Sequence, residues 1–176
     1  YRESGGGVSF SGGEPLMQAD ALRELLLLCR ERAYHTAVDT SGYADNESLA
    51  KVIDLADLWL FDLKLIDESQ HVAYTGVSNQ PIMKSLEILA RAGKEIIIRF
   101  PLIPGITDTE ENLEGIARVM TKNQLKRMDI LPYHSIDAEK YKRIGKVYLL
   151  KDMKEPDKER MNNIKMYYAE QGFEVE

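Results

Sequence analysis

The amino-acid sequence predicts an α/β fold in which parallel strands alternate with helices, arranged as a partial, TIM-like β/α barrel. Five apolar runs of strand length are separated by segments with helical periodicity. The runs are almost continuously hydrophobic, which is typical of parallel strands covered on both faces. Polar candidates for a binding site follow the end of each run, as they do at the carboxyl mouth of a β/α barrel. They are Glu14, Asp39, Asp62 with Lys64, Arg99 and His134.

The first strand, residues 8–11, stops at two glycines and an acid, Gly12, Gly13 and Glu14. Glycine lets the backbone approach a neighbour closely, and a carboxylate beside bare backbone suits a small cationic group such as an ammonium. Pro15 fits the first turn of the helix that follows. An ordinary βα turn explains the same residues without a ligand, so this stretch alone leaves both interpretations open.

The helix after this turn is predicted from apolar residues at helical spacing. These residues are Leu22, Leu25, Leu26, Cys29 and Ala33. Because Cys29 lies on that stripe, we expect a buried structural thiol and not a reactive one. A second strand, residues 35–40, ends in Asp39 and Thr40, and a helix capped near Asp45 follows it.

The third strand, residues 58–64, is apolar until Asp62 and Lys64. These two residues share one face because they are two positions apart on a strand. Trp59 and Phe61 are expected to pack between the strand and its helices.

The fourth and fifth strands are predicted from two further apolar runs. Polar turns lead first to a helix that Asn79 caps. Residues 95–101 then form the fourth strand, with Arg99 at its end, and residues 128–134 form the fifth, which ends at His134.

The last third of the chain gives weaker signals. Residues 135–155 predict only a short helix and a lysine-rich connection, whereas residues 157–171 predict a final helix before a short strand at 173–175. His35 and His71 match no functional pattern and are expected to be surface or packing residues.

Composition narrows the classes of function. The 176 residues, 44% of them hydrophobic, suffice for a single domain over residues 1–176. A net charge of −6 without a basic run argues against nucleic acid as a partner. No apolar run approaches the ~20 residues of a membrane helix. A single cysteine predicts a reducing, cytoplasmic compartment.

A flavodoxin-like or Rossmann sheet is the competing architecture. Its G-x-G-x-x-G fingerprint is missing, since a match that starts at Gly5 fails at Phe10. Five βα units are too few for the usual eight-stranded barrel. The barrel is therefore expected to be partial, or to lack its first unit.

Five motifs in the chain resemble, in order, those of radical S-adenosylmethionine (SAM) enzymes. The combination is similar to glycyl-radical-enzyme activating enzymes, close to the pyruvate formate-lyase activating enzymes. The motifs are SGGGVSFSGGEP at 4–15, DTSG at 39–42, DLK at 62–64, IRFPLIPG at 98–105 and LPYH at 131–134.

The resemblance implies a partial (β/α)6 barrel of the radical SAM type that here lacks its first βα unit. In the family that unit carries C-x3-C-x2-C, whose three thiolates bind a [4Fe–4S] cluster. Cys29 alone cannot supply them, so we expect the chain to be an N-terminally truncated portion of an activase and inactive by itself. Its first strand would then be an exposed edge, which invites association with another chain.

The resemblance also implies how SAM is bound. Gly12, Gly13 and Glu14 would take the methionyl ammonium, and Lys64 would take the carboxylate as a point charge. Leu63 belongs to the same cofactor-binding stretch.

Two residues later in the chain receive roles from the same resemblance. His134 would contact the ribose or adenine, and Arg99 would help to hold SAM and the partner's glycine loop; Lys64 and Arg99 are the residues closest to catalysis. The reaction implied is reductive cleavage of SAM to a 5′-deoxyadenosyl radical, which abstracts hydrogen from a glycine of the partner. The partners implied are a glycyl radical enzyme and an electron donor such as flavodoxin or ferredoxin.

A monovalent cation beside the SAM carboxylate is a further implication. Its ligands would be Asp39, Thr40, the Leu60 carbonyl and Asp62, all oxygen donors, which suit a hard cation. The simpler interpretation is that Asp62 and Lys64 pair with each other.

Two other functions stay open. One is a lyase or aldolase-like barrel in which Lys64 forms a Schiff base, although Asp62 on the same face would oppose the lowered pKa that such a lysine needs. The other is a docking scaffold that binds the partner's glycine loop and performs no chemistry.

Overall fold

The computed structural model describes residues 6–134 and 153–176, which form one sheet with helices between successive strands. The strands are β1 Gly7–Phe10, β2 His35–Thr40, β3 Leu58–Asp62, β4 Ile96–Leu102, β5 Arg127–Pro132 and β6 Glu174–Val175. The helices are α1 Ala19–Glu31, α2 Asn46–Ala50, α3 Glu68–Thr75, α4 Gln80–Arg91, α5 Glu110–Lys122 and α6 Lys158–Glu170, with a 3-10 turn at Pro15–Gln18. In these described ranges no helix is long and apolar enough to cross a bilayer.

The six strands follow one another across the sheet in chain order, and every neighbouring pair is parallel. A doubly wound sheet would reverse its order at a switch point, so the flavodoxin-like and Rossmann alternative is wrong. β1 and β6 are the two ends of the described sheet, which is open. The expected partial barrel is therefore confirmed as an open parallel β/α sheet.

The core lies between the sheet and its helices. Trp59 and Phe61 are fully buried, as the strand pattern predicted. Phe100 of β4 meets Tyr168 of α6 edge to face, with ring centroids 6.4 Å apart. Burial raises the pKa of Tyr168, so its hydroxyl stays neutral and donates to the Leu113 carbonyl at 3.2 Å. This bond and the ring contact hold α6 against the sheet and α5.

Helix α3 was not predicted, because only His71 of its residues is buried and the segment shows no apolar stripe. Its start is capped by Asp67, whose carboxylate accepts from the Gln70 N–H at 2.8 Å. Asn79 is the N-cap residue of α4, as predicted. The Asn79 side chain makes no capping bond and instead donates to the carbonyls of Leu65 and Ile66.

The other helices agree more closely with the predictions made from the sequence. Asp45 caps α2 as predicted, accepting from the Ser48 N–H at 2.7 Å. On α1 the buried stripe runs through Leu22 and Leu26, which leaves Leu25 47% exposed and Cys29 only half-buried. The expectation of a fully buried thiol is therefore wrong. α6 and β6 lie where the sequence predicted them, and the connection predicted over 135–155 falls mostly outside the described residues.

Replacement of Gly42 by alanine is expected to destabilise the fold strongly. Gly42 follows β2 with a φ of +74°, and a Cβ at this position would overlap the buried ring of Phe61. The left-handed backbone costs an L-residue roughly 1–2 kcal/mol, and overpacking a core adds roughly 1–3 kcal/mol. Urea unfolding should therefore show a loss of about 2–5 kcal/mol.

Gly76 supplies the matched control for this measurement. It has a φ of +81° at the end of α3, but nothing lies within 4 Å of an added Cβ. Gly76→Ala should lose only the backbone contribution, about 1–2 kcal/mol. Equal losses in the two variants would contradict the contact between Gly42 and the Phe61 ring.

Candidate functional site

Glu14 joins the turn after β1 to the end of β2. Its Oε1 accepts from the Leu16 N–H at 3.1 Å and from the Thr40 hydroxyl. Its Oε2 accepts from the N–H and the hydroxyl of Ser41, at 2.9 and 2.6 Å. A carboxylate has about four acceptor positions, and here all of them are used. Glu14 therefore fixes this turn, and what it offers a ligand is its negative charge.

The two glycines before Glu14 present bare backbone to open space. Gly12 and Gly13 are exposed and have φ values of +83° and +54°, a conformation that favours glycine. A Cβ added to either glycine would find no atom within 4 Å. A ligand can therefore approach this backbone, which the Glu14 hydrogen bonds hold in place.

Asp39 and Arg99 form an ion pair that crosses β3. Arg99 Nη1 lies 2.6 Å from Asp39 Oδ2, which also accepts from the Ser11 hydroxyl at 2.9 Å. The Arg99 side chain is 25% exposed and the Asp39 side chain 20%. Arg99 was predicted at the end of its strand, but β4 continues through Pro101 to Leu102, so Arg99 lies in the middle.

Lys64 and Asp62 also form an ion pair, with Nζ and Oδ2 2.9 Å apart and side chains 35% and 28% exposed. The structure therefore shows the simpler of the two interpretations, in which Asp62 and Lys64 pair with each other. The Lys64 Nζ is engaged by this carboxylate, which argues against a Schiff-base lysine. Between them, Leu63 is buried and its N–H donates to the Arg99 carbonyl at 3.0 Å, so its side chain points away from the charged groups.

Asp129 is a residue that sequence reasoning missed. The strand registers align Asp62 with Arg99 and Arg99 with Asp129, so these three residues form one row across β3, β4 and β5. The row is half-buried, while the flanking residues Met128 and Ile130 face the helices and are buried. The alternation of apolar and polar residues in β5 is the signal that indicates Asp129. A search for polar residues at strand ends misses it, because Asp129 lies within the strand.

The histidines separate into different environments. His134 is exposed two residues beyond β5, and its Nδ1 lies 3.3 Å from Glu155 Oε1, its contact with the segment before α6. His71 is buried, with Nδ1 2.8 Å from the Val77 carbonyl, and His35 is exposed. Packing and surface positions for His71 and His35 agree with expectation.

The residues suggested for a monovalent cation already have protein partners. The Thr40 hydroxyl donates to Glu14 and accepts from the Gly42 N–H at 2.9 Å, Asp39 pairs with Arg99, and Asp62 pairs with Lys64. A cation would therefore have to replace Lys64 beside Asp62.

The charge of the site suits SAM. Four carboxylates against two cationic side chains leave a net charge of two negative units. The carboxylates are Glu14, Asp39, Asp62 and Asp129, and the cations are Lys64 and Arg99. SAM carries a sulfonium, an ammonium and a carboxylate, hence one net positive charge, and the exposed backbone of Gly12 and Gly13 has no atom within 4 Å of an added Cβ. The residues present therefore fit SAM.

The residues do not fit an iron–sulfur cluster. Cys29 is the single cysteine of the sequence and lies on α1. Among residues 6–134 and 153–176, no three His, Cys, Asp or Glu side chains are grouped closely enough to hold a metal ion. A cluster of the family's type needs three thiolates, which these 176 residues do not contain.

An open parallel β/α sheet that gathers paired charges and bare glycine backbone near its strand ends defines an enzyme domain of the barrel class. Residues 1–117 match the family model of the radical SAM superfamily. The trans-4-hydroxy-L-proline dehydratase activating enzyme of Clostridioides difficile is 39% identical over 98% of this chain and 58% of its own length. The pyruvate formate-lyase-activating enzyme of Clostridium pasteurianum is 33% identical over 97% of this chain and 71% of its own.

A solved structure supports the same relationship. The crystal structure of a domain of pyruvate formate-lyase-activating enzyme from Bacteroides vulgatus superposes with a TM-score of 0.81 at 29% identity, covering 97% of this chain and 98% of that domain. The chain belongs to the radical SAM superfamily, among its glycyl-radical-enzyme activating enzymes. It spans about half the length of several curated relatives that it matches.

Proposed function

We propose that this chain is the portion of a glycyl-radical-enzyme activase that binds SAM and presents it to a glycine of the partner enzyme. The observation that carries the proposal is the set of paired charges on β2 and β4 and at the end of β3, beside the bare glycine turn after β1. Its net negative charge suits a ligand with a net positive charge. Reductive cleavage of SAM supplies a 5′-deoxyadenosyl radical, which takes hydrogen from the glycine.

Each end of SAM would have its own residues. The carbonyls of Gly12 and Gly13, beside the negative charge of Glu14, would bind the ammonium. Lys64 would leave Asp62 and bind the carboxylate of SAM instead. The exchange costs little free energy, because one charge-assisted hydrogen bond to a carboxylate replaces another. The Glu14 hydrogen bonds support this role by holding the turn rigid.

The adenosine end and the partner belong to the later strands. Arg99 has donors left beyond the one that binds Asp39, since a guanidinium carries five. We propose that these donors meet SAM and the partner's glycine loop. Among the described residues, the exposed His134 contacts Glu155, and in this proposal its ring meets the ribose or adenine.

A monovalent cation at Asp39, Thr40, the Leu60 carbonyl and Asp62 belongs to the same proposal. When the SAM carboxylate takes Lys64, Asp62 loses its counterion, and a cation would restore the charge balance. Oxygen ligands of this type suit such an ion. A flavodoxin or ferredoxin as electron donor, and a cluster ligated by cysteines outside the 176 residues, complete the proposed activase.

The function is tested with the full-length protein under anaerobic conditions. With SAM and dithionite it should release 5′-deoxyadenosine. With the right partner it should also produce a glycyl-radical signal in electron paramagnetic resonance. Trans-4-hydroxy-L-proline dehydratase and pyruvate formate-lyase are the first partners to try, because the relatives are named for them. Binding of SAM without any cleavage would contradict the activase proposal and favour a docking scaffold.

A further inference from the structure

The carboxylate of Asp129 has no assigned role and, among residues 6–134 and 153–176, no hydrogen-bond or ion-pair partner. It is half-buried on β5, directly beside Arg99 of β4 in the strand register. Within the described ranges no side chain or N–H donates to it, and Arg99 turns the other way to reach Asp39 at 2.6 Å. A half-buried charge without a partner is unfavourable, so a ligand that donates hydrogen bonds would be stabilised here.

The site has two groups of residues, one near β1 and β3 and the other on β4 and β5. Their chemistry indicates which kind of ligand suits Asp129. The groups suited to an amino acid are the glycine turn after β1, Asp62 at the end of β3, and Lys64 two residues beyond it. Arg99 and Asp129 lie on β4 and β5, in strands that are about 4.8 Å apart. They place hydrogen-bond donors beside an acceptor. A peptide main chain offers the complement, a carbonyl acceptor and an N–H donor in each residue.

We propose that Asp129 accepts a main-chain N–H hydrogen bond from the glycine-containing segment of the partner, while Arg99 donates to a neighbouring carbonyl. This inference rests on the proposed function, which brings a glycine of a polypeptide to this site. Recognition of main-chain groups does not depend on the partner's side chains. It orients the backbone of the reacting glycine, which a glycine cannot achieve through a side chain of its own.

The test uses the SAM-loaded full-length protein and a blocked heptapeptide with glycine at its centre and alanine and serine around it. Fluorescence anisotropy of the labelled peptide gives its affinity. Asp129→Ala should weaken binding roughly tenfold to a hundredfold, the range for a hydrogen bond to a charged group. Asp129→Asn, whose amide oxygen still accepts, should lose less. Glu174→Ala, which removes a carboxylate from the neighbouring strand in register with Arg127, should bind like the wild type.

A second peptide series separates direct contact from a structural effect. Each of the three central residues is N-methylated in turn, which removes one N–H donor. For the wild type, one of these N-methylated peptides should bind more weakly than the parent peptide. For Asp129→Ala, the same peptide and the parent should bind equally well. Equal affinities of Asp129→Ala and wild type for the parent peptide, or no N-methyl effect that depends on Asp129, would overturn the assignment. Failure of the wild type to cleave SAM would instead overturn the proposed function, so the two failures are distinguishable.

Discussion

Anaerobic reconstitution of the 176-residue chain with iron and sulfide is expected to leave it without a [4Fe–4S] cluster and unable to release 5′-deoxyadenosine from SAM. A cluster of this family needs three thiolates, and the sequence contains one cysteine, Cys29. That thiol is half-buried on α1, and no group of potential ligands lies near enough to help it among the described residues. The expected effect is complete loss of activity, not a reduction.

The measurement is iron content together with chromatographic detection of 5′-deoxyadenosine. The control is a longer protein that contains the cluster cysteines, prepared in the same way. Circular dichroism checks that the short chain is folded, as the crystallised domain of matching extent suggests it will be. About four irons per 176-residue chain, with turnover of SAM, would overturn the prediction. A longer protein that takes up no iron would favour the docking-scaffold alternative.

Lys64→Ala in the full-length protein is expected to weaken SAM binding roughly tenfold to a hundredfold, because a hydrogen bond between charged groups contributes roughly 1.5–3 kcal/mol. The fold should change little. The pair with Asp62 is about one-third exposed, and ion pairs of that kind contribute on the order of 0–1 kcal/mol. Calorimetric titration with SAM measures the affinity, and urea unfolding measures the stability.

The matched control is Lys94→Ala. Lys94 also pairs with an aspartate, Asp54, at 2.6 Å, but it precedes β4 at the opposite edge of the sheet. An unchanged SAM affinity in Lys64→Ala would remove Lys64 from the site. The same titration of the wild type in sodium chloride and in tetramethylammonium chloride tests the cation. Equal affinities in the two salts would exclude a cation that supports SAM binding.

For the 176-residue chain, the sequence also predicts that β1 is an exposed edge of the sheet. β1 pairs with β2 on one side and has no strand partner on the other within the described sheet. Association through this edge, which the sequence suggested, stays a prediction.

The sequence by itself determined the order of strands and helices, because apolar periodicity and caps such as Asp45 are local signals. It also determined the family, since the glycine, aspartate and lysine motifs stand in order along the chain. Helix α3 escaped prediction because it buries little more than His71. The end of β4 was misplaced because pairing with β5, and not local composition, extends that strand to Leu102.

Only the tertiary structure decided which charged groups meet. The pair of Asp39 with Arg99 joins residues on strands that are not neighbours, and three of the four hydrogen bonds of Glu14 come from Thr40 and Ser41, far away along the chain. Asp129 entered the site only through the strand register that places it beside Arg99. Sequence patterns report what each segment prefers locally, whereas these contacts depend on how parallel strands align across the sheet. That alignment is set by packing of the whole core.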